Sequence, residues 1–178
     1  MRSAVIGLFG SSDEKLVEQN AVNSCLCTHH DPRCVASSVA VALVVCFLLK
    51  NESVQVAIEK AQEISLERIT QTAHKEDFNK CFDPKLKLEE IKCDERDKIG
   101  FVFKCLSVSI YALRNWERCE EVMNEILFEG GDADTNLSLA GALLGAKVGF
   151  SGLPKIWFKG LKHKKWLLRH SQSVYPFL

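Results

Sequence analysis

A stretch of sixteen almost entirely apolar residues, 34–49, constrains the fold more than any other part of the sequence. A helix needs about 20 such residues to span a bilayer, so this stretch is too short for a membrane span. A helix that is apolar on every side is buried on every side, and other helices must therefore surround it. The sequence predicts a helical bundle with residues 34–49 in its core.

Helix starts can be located from capping residues. Asp31 followed by Pro32 predicts the start of the apolar helix, because aspartate caps free N–H groups and proline fits the first helical position. Ser11 and Glu14 have the spacing of a capping box, in which each side chain satisfies a backbone N–H group of the other residue. This pair predicts an earlier helix that runs to about Thr28.

Periodicity extends the helical pattern over most of the chain. Apolar residues recur at helical spacing over 54–69, and further helices are expected over 98–114 and 115–128. Residues 74–97 predict a charged, partly irregular connection without strand alternation. Small residues line adjacent faces of the segment that ends at Gly149, which places that helix at the centre of the bundle. The fold class predicted is all-α, a compact orthogonal helical bundle that forms one domain over the whole chain.

The composition limits the classes of binding partner and the cellular compartment that we expect. The 23 Lys and Arg residues equal the 23 Asp and Glu residues, so we expect no nucleic-acid binding, and no membrane partner is predicted. None of the eight cysteines forms a C-x-x-C pair, and four lie in apolar helical patterns: Cys34, Cys46, Cys105 and Cys119. Free thiols and the absence of a secretory signal predict a reducing compartment, the cytoplasm or the nucleus.

An acidic turn at residues 129–136 (EGGDADTN) carries the main candidate site. Asp132 and Asp134 stand two residues apart, and the Thr135 hydroxyl follows, all at a helix N-terminus that favours anionic groups. Oxygen donors of this kind suit Mg²⁺. The residues alone leave open a simple acidic helix cap without a metal. An EF-hand does not fit, since leucine replaces both its glycine and its closing glutamate.

Four blocks of sequence, taken together, resemble the ADP-ribosylglycohydrolase family. Residues 130–157 contain GGDADTN, LAGALLGAKVG and LPKIW, which are similar to the C-terminal signature of that family. Residues 1–8 (MRSAVIGL) look like the segment after its Asn-Gly-x-x-Met-Arg loop, and 27–33 (CTHHDPR) like its Thr-His-x-Asp-Pro-Arg junction. Residues 99–114 resemble the buried helix before its metal loop. The blocks occur in family order over nearly the whole chain.

The resemblance implies a function and a set of site residues. It implies hydrolysis of the bond between ADP-ribose and a protein side chain or small acceptor, with two Mg²⁺ ions at the centre of an all-α domain. By motif, Asp132, Asp134 and Thr135 are metal ligands, and His29 contacts the ADP-ribose. A place at a helix C-terminus, where imidazolium suits the dipole, is the alternative for His29. No catalytic residue is assigned.

One family motif is missing from the sequence. The second metal-ligand motif of the family, Thr-Asp-Asp, precedes the Asn-Gly loop, and no Asp-Asp pair occurs in this chain. We therefore expect an N-terminally truncated domain, the C-terminal half to two thirds, with half of the metal site and impaired catalysis. The alternative is a non-catalytic relative, either crystallin-like or an ADP-ribose-binding structural or interaction protein. The sequence does not define an oligomeric state.

Three further side chains have predicted roles. Arg33 is expected to pair with a nearby carboxylate rather than with a substrate. Trp157 and Trp166 are expected to pack the final turns against the bundle. The Lys- and Arg-rich tail over 155–169 predicts a solvated helix face.

Overall fold

The computed structural model describes residues 1–174, and every regular element within them is helical, which confirms the all-α prediction. The α-helices in chain order are α1 (Ser3–Ile6), α2 (Glu14–Leu26), α3 (Pro32–Leu49), α4 (Val54–Leu66), α5 (Thr72–Lys80), α6 (Leu88–Ile91), α7 (Val102–Arg114), α8 (Cys119–Phe128), α9 (Ala133–Gly152), α10 (Lys155–Lys159) and α11 (Lys164–Val174). Short 3₁₀ helices at Arg96–Lys98 and Trp116–Arg118 precede α7 and α8.

Helix α3 forms the centre of the main hydrophobic core. The Asp31 carboxylate caps it by accepting a hydrogen bond from the Arg33 N–H at 2.8 Å, and Pro32 occupies its first turn, as predicted. Almost every residue from Val35 to Leu48 is buried. Helices α1, α2, α4, α7 and α9 pack around it. The helix has 18 residues, two more than the apolar stretch, and among the described residues it is the one long and apolar enough to span a bilayer, contrary to the expectation from the stretch alone; other helices bury most of it.

A second, smaller core lies between α6, α7, α8 and α9. Leu106 and Ile110 of α7 face the main core, whereas Val108 and Ala112 face the second one. Helix α9 likewise contributes to both cores. Only five of the 20 residues of α9 are buried, so this helix packs against both cores from the outside and its predicted central position is wrong; the central helix is α3. A break at Gly149, with φ of +69°, interrupts α9 near its predicted end.

The predicted capping box at Ser11 and Glu14 is wrong. Asp13 caps α2 instead, because its carboxylate accepts hydrogen bonds from the backbone N–H groups of the next turn at 3.0 and 3.2 Å. Gly10, at φ of +71°, turns the chain just before this point, so Ser11 belongs to the turn rather than to the helix. Asp13 is as good a capping residue as Ser11 and lies closer to the helix, so its carboxylate occupies the N-cap position.

The connection predicted over 74–97 contains more helix than expected. Helix α5 covers its first part, and the short α6 lies within it. A single apolar anchor holds α5: Phe78 is fully buried against Phe82 and Phe103, with ring centroids 5.0 and 5.8 Å apart. One buried side chain in nine residues leaves too weak a periodic signal to predict the helix.

The last two helices differ from each other in packing. Trp157 of α10 is half-buried and packs against the second core, as predicted. Trp166 of α11 is 58% exposed, so the prediction that it packs against the bundle is wrong. No residue of α11 is buried, in agreement with a solvated helix.

Candidate functional site

A cavity of about 610 Å³ opens between the N-terminal part of the bundle and the start of α9. Residues from α1, from the end of α2 and from the first half of α3 line it, together with the start of α7 and the loop that leads into α9. The cavity thus brings together residues of the ranges 1–41 and 99–139.

The acidic loop reaches the cavity because of its two glycines. Gly130 and Gly131 have φ values of +69° and +67°, which side chains with a Cβ atom rarely adopt. A Cβ atom on Gly131 would lie 2.0 Å from the Cys93 carbonyl oxygen, so only glycine permits this close approach. The turn then delivers Asp132 to the N-terminus of α9.

Asp132 lines the cavity with a carboxylate that does not cap the helix. It occupies the N-cap position of α9, but its side chain makes no capping hydrogen bond. Its carboxylate is therefore not used as a simple helix cap. Thr135, in the first turn of α9, lines the same cavity. Asp134 is exposed and is not among the lining residues.

The donors present match one part of a magnesium site. A carboxylate and a hydroxyl supply hard oxygen atoms, which Mg²⁺ prefers. Within residues 1–174, however, no three His, Cys, Asp or Glu side chains are placed together to hold a metal ion. Octahedral coordination needs more donors than Asp132 and Thr135 provide. The described residues therefore fit an incomplete coordination shell.

His29 lines the same cavity and is oriented by a chain of hydrogen bonds. Its Nδ1 atom lies 2.7 Å from the Thr28 hydroxyl oxygen. The Arg2 guanidinium donates to the same hydroxyl oxygen at 2.8 Å and to the Ser24 carbonyl oxygen at 2.7 Å. These bonds hold the imidazole through Nδ1, which leaves Nε2 available for a ligand.

Arg33 pairs with Asp31, as predicted. Its guanidinium donates to both carboxylate oxygens, at 3.0 Å from Nε and 2.6 Å from a terminal nitrogen. The hydrogen bond from Arg33 lowers the pKa of Asp31 to about 2, so this carboxylate stays ionised at neutral pH. The Arg33 guanidinium also lies 5.7 Å from the centre of the Phe101 ring, another lining residue.

Two of the thiols that line the cavity, those of Cys34 and Cys105, are poor nucleophiles. Burial raises the pKa of Cys105 to about 11 and also raises the pKa of Cys34. Both thiols therefore stay protonated near neutral pH, and the thiolate is the reactive form. All eight cysteines are free.

Sequence reasoning missed several of these side chains. Arg2 and Thr28 belong to recognised motifs, but the hydrogen bond between them joins residues 26 positions apart, and only Thr28 contacts His29. Phe101 lies in a block predicted to be buried, yet it lines the cavity. The sequence signal for a position at the cavity was that Phe101 directly follows Gly100, where the charged connection ends.

An all-α bundle is the architecture that the sequence blocks implied, and its acidic loop contributes Asp132 to the cavity. The model of the ADP-ribosylglycohydrolase family matches residues 1–176, nearly the whole chain. The chain belongs to the ADP-ribosylglycohydrolase family.

A relative from an archaeon shows how much of a longer protein this chain covers. The chain is 28% identical, over a 184-residue alignment, to an uncharacterized protein of Archaeoglobus fulgidus. The alignment covers 98% of this chain and 56% of the relative. The chain therefore spans little more than half the length of that protein.

Proposed function

We propose that the cavity binds an ADP-ribosyl group and that this chain supplies one side of a magnesium-dependent hydrolase site. The bond cleaved joins ADP-ribose to a protein side chain or a small acceptor. One observation carries the proposal: Asp132, Thr135 and His29, three residues that the family motifs single out, line one cavity. Its volume of about 610 Å³ falls within the range of small-molecule sites.

The reaction requires water to replace the acceptor at the anomeric carbon of the ribose. The water oxygen bonds to that carbon as the bond to the acceptor breaks, the water loses a proton and the leaving group gains one. Magnesium, when bound, lowers the pKa of water and orients hydroxyl groups. In this proposal Asp132 and Thr135 would hold the ion at the cavity, and the Asp132 carboxylate would favour the positive charge that develops on the sugar. Asp134, which is exposed and outside the cavity lining, is a ligand by motif alone.

Two further lining residues suit the polar part of the ligand. His29, held through Nδ1, can use Nε2 for a hydrogen bond to a ribose or phosphate oxygen. Arg2 lines the same cavity, and its positive charge favours a diphosphate. Both side chains would bind and orient the ligand without taking part in proton transfer.

We also propose that hydrolysis by the chain alone is impaired. The described residues contain no group of three acidic, histidine or cysteine ligands, and Asp134 is exposed. These same observations favour the second candidate function, an ADP-ribose-binding protein without catalytic activity. In both cases the cavity binds ADP-ribose, and the two candidates differ in the metal-dependent step.

Calorimetric titration of the chain with ADP-ribose tests the shared part of the proposal. His29→Ala is expected to weaken binding about tenfold, because it removes one hydrogen bond to a charged ligand. His30→Ala is the matched control, since His30 is exposed like His29 but does not line the cavity. A wild-type chain that binds no ADP-ribose, or an equal loss in both variants, would contradict the proposal.

A further inference from the structure

A buried lysine connects α7 to the turn beneath the acidic loop. The Lys104 side chain is only 9% exposed, and its Nζ atom lies 2.9 Å from a carboxylate oxygen of Glu95. The same ammonium donates a hydrogen bond to the Lys92 carbonyl oxygen. A buried ammonium is unfavourable unless it is paired, and both partners of this one belong to a single turn. Lys104 therefore fixes that turn against α7.

The turn has a backbone conformation that needs such support. Lys92 has φ of +53° and ψ of +59°, the left-handed region that a residue with a Cβ atom disfavours. Its carbonyl oxygen also accepts a hydrogen bond from the Glu95 N–H at 3.1 Å. The Lys104 ammonium thus contacts both ends of the turn. It also lowers the pKa of Glu95, which keeps this carboxylate ionised.

The acidic loop rests directly on this turn. A Cβ atom on Gly131 would lie 2.0 Å from the Cys93 carbonyl oxygen and 3.2 Å from the Asp94 nitrogen. The acidic loop therefore packs directly against the Cys93 backbone. The next residue along the chain is Asp132, whose carbonyl oxygen accepts the Asn136 N–H at 3.0 Å.

We propose that Lys104 and Glu95 are positioning residues that set the place of Asp132 in the cavity. They act through the 92–95 turn and touch no ligand themselves. The importance of this placement for binding rests on the proposed function. The placement itself is a property of the fold and can be measured without any ligand.

Residue-resolved hydrogen exchange on the complete chain tests the inference. The Asn136 amide is the reporter, because it donates the first backbone hydrogen bond of α9 to the carbonyl oxygen of Asp132, the residue at which the loop joins the helix. In Lys104→Met and Glu95→Gln this amide should exchange at least about tenfold faster, while amides in the middle of α3 keep their rates. Glu95→Gln keeps the shape of a side chain that is 40% exposed, so it reports even if Lys104→Met does not fold.

Lys60→Met is the matched control, since it removes another lysine from an ion pair, with Glu52 on the α4 side of the bundle. It should leave the Asn136 amide within about twofold of wild type. Unchanged Asn136 exchange in Glu95→Gln, or equal acceleration in Lys60→Met, would overturn the inference. Faster exchange in a chain that binds no ADP-ribose would support the placement while the proposed function fails, so the two failures are distinguishable.

Discussion

Asp132→Asn should reduce ADP-ribosyl hydrolysis by at least about 100-fold in a completed protein. By completed protein we mean this chain fused to an N-terminal family segment that carries the Thr-Asp-Asp motif. Changes to groups that only support metal ligands cost 10–100-fold, so loss of a direct ligand should cost at least that much. The measurement is the rate at which ADP-ribose is released from an ADP-ribosylated protein.

The same substitution should have little effect on stability. The Asp132 carboxylate makes no capping hydrogen bond, so Asp132→Asn should change the free energy of unfolding by less than about 0.5 kcal/mol. Asp134→Asn is predicted from the motif to have a similar effect on the rate. Asp97→Asn, at another exposed aspartate, is the control and should leave the rate unchanged. A wild-type rate in Asp132→Asn would contradict its assignment as a ligand.

Phe47→Ala should destabilise the chain by about 3–5 kcal/mol, the range for truncation of a buried phenylalanine. Phe47 is fully buried in α3, and Lys50 and Lys60 place their ammonium groups 6.0 and 5.4 Å from the centre of its ring. The loss is a large part of the 5–15 kcal/mol by which a typical domain is stable. Urea unfolding followed by circular dichroism measures it.

Leu49→Ala is the matched control for this prediction. Leu49 ends the same helix but is 42% exposed, so truncation should cost less than about 1 kcal/mol. Equal losses in the two variants would mean that α3 is not the centre of the core.

Local sequence signals predicted the parts of the fold that local chemistry determines. The apolar run and the Asp31–Pro32 pair located α3, because a buried helix and its cap are both encoded within a few residues. Helix α5 was not predicted, because a single buried side chain, Phe78, anchors it through contacts with aromatic rings that are distant in sequence. The start of α2 was misplaced because Ser11 and Asp13 are both good caps and the turn at Gly10 decides between them.

The sequence likewise predicted some residues of the candidate site and missed others. The motifs identified His29, Asp132 and Thr135, and the structure brings these residues to one cavity although about 100 positions separate the first from the others. Periodicity alone could not show this, because it carries no information on which helices meet. Lys104 was missed since a lysine inside an apolar helix gives no sign of its partner, and Glu95 lies in a loop.

Magnesium-dependent turnover, measured side by side for the isolated chain and the completed protein, tests the central claim most directly. We predict little or no release of ADP-ribose by the isolated chain, because its donors supply only part of a coordination shell. The completed protein should release ADP-ribose with Mg²⁺ and lose this activity when a chelator removes the ion. Robust turnover by the isolated chain would contradict the account. So would turnover by the completed protein that continues at the same rate after the chelator is added.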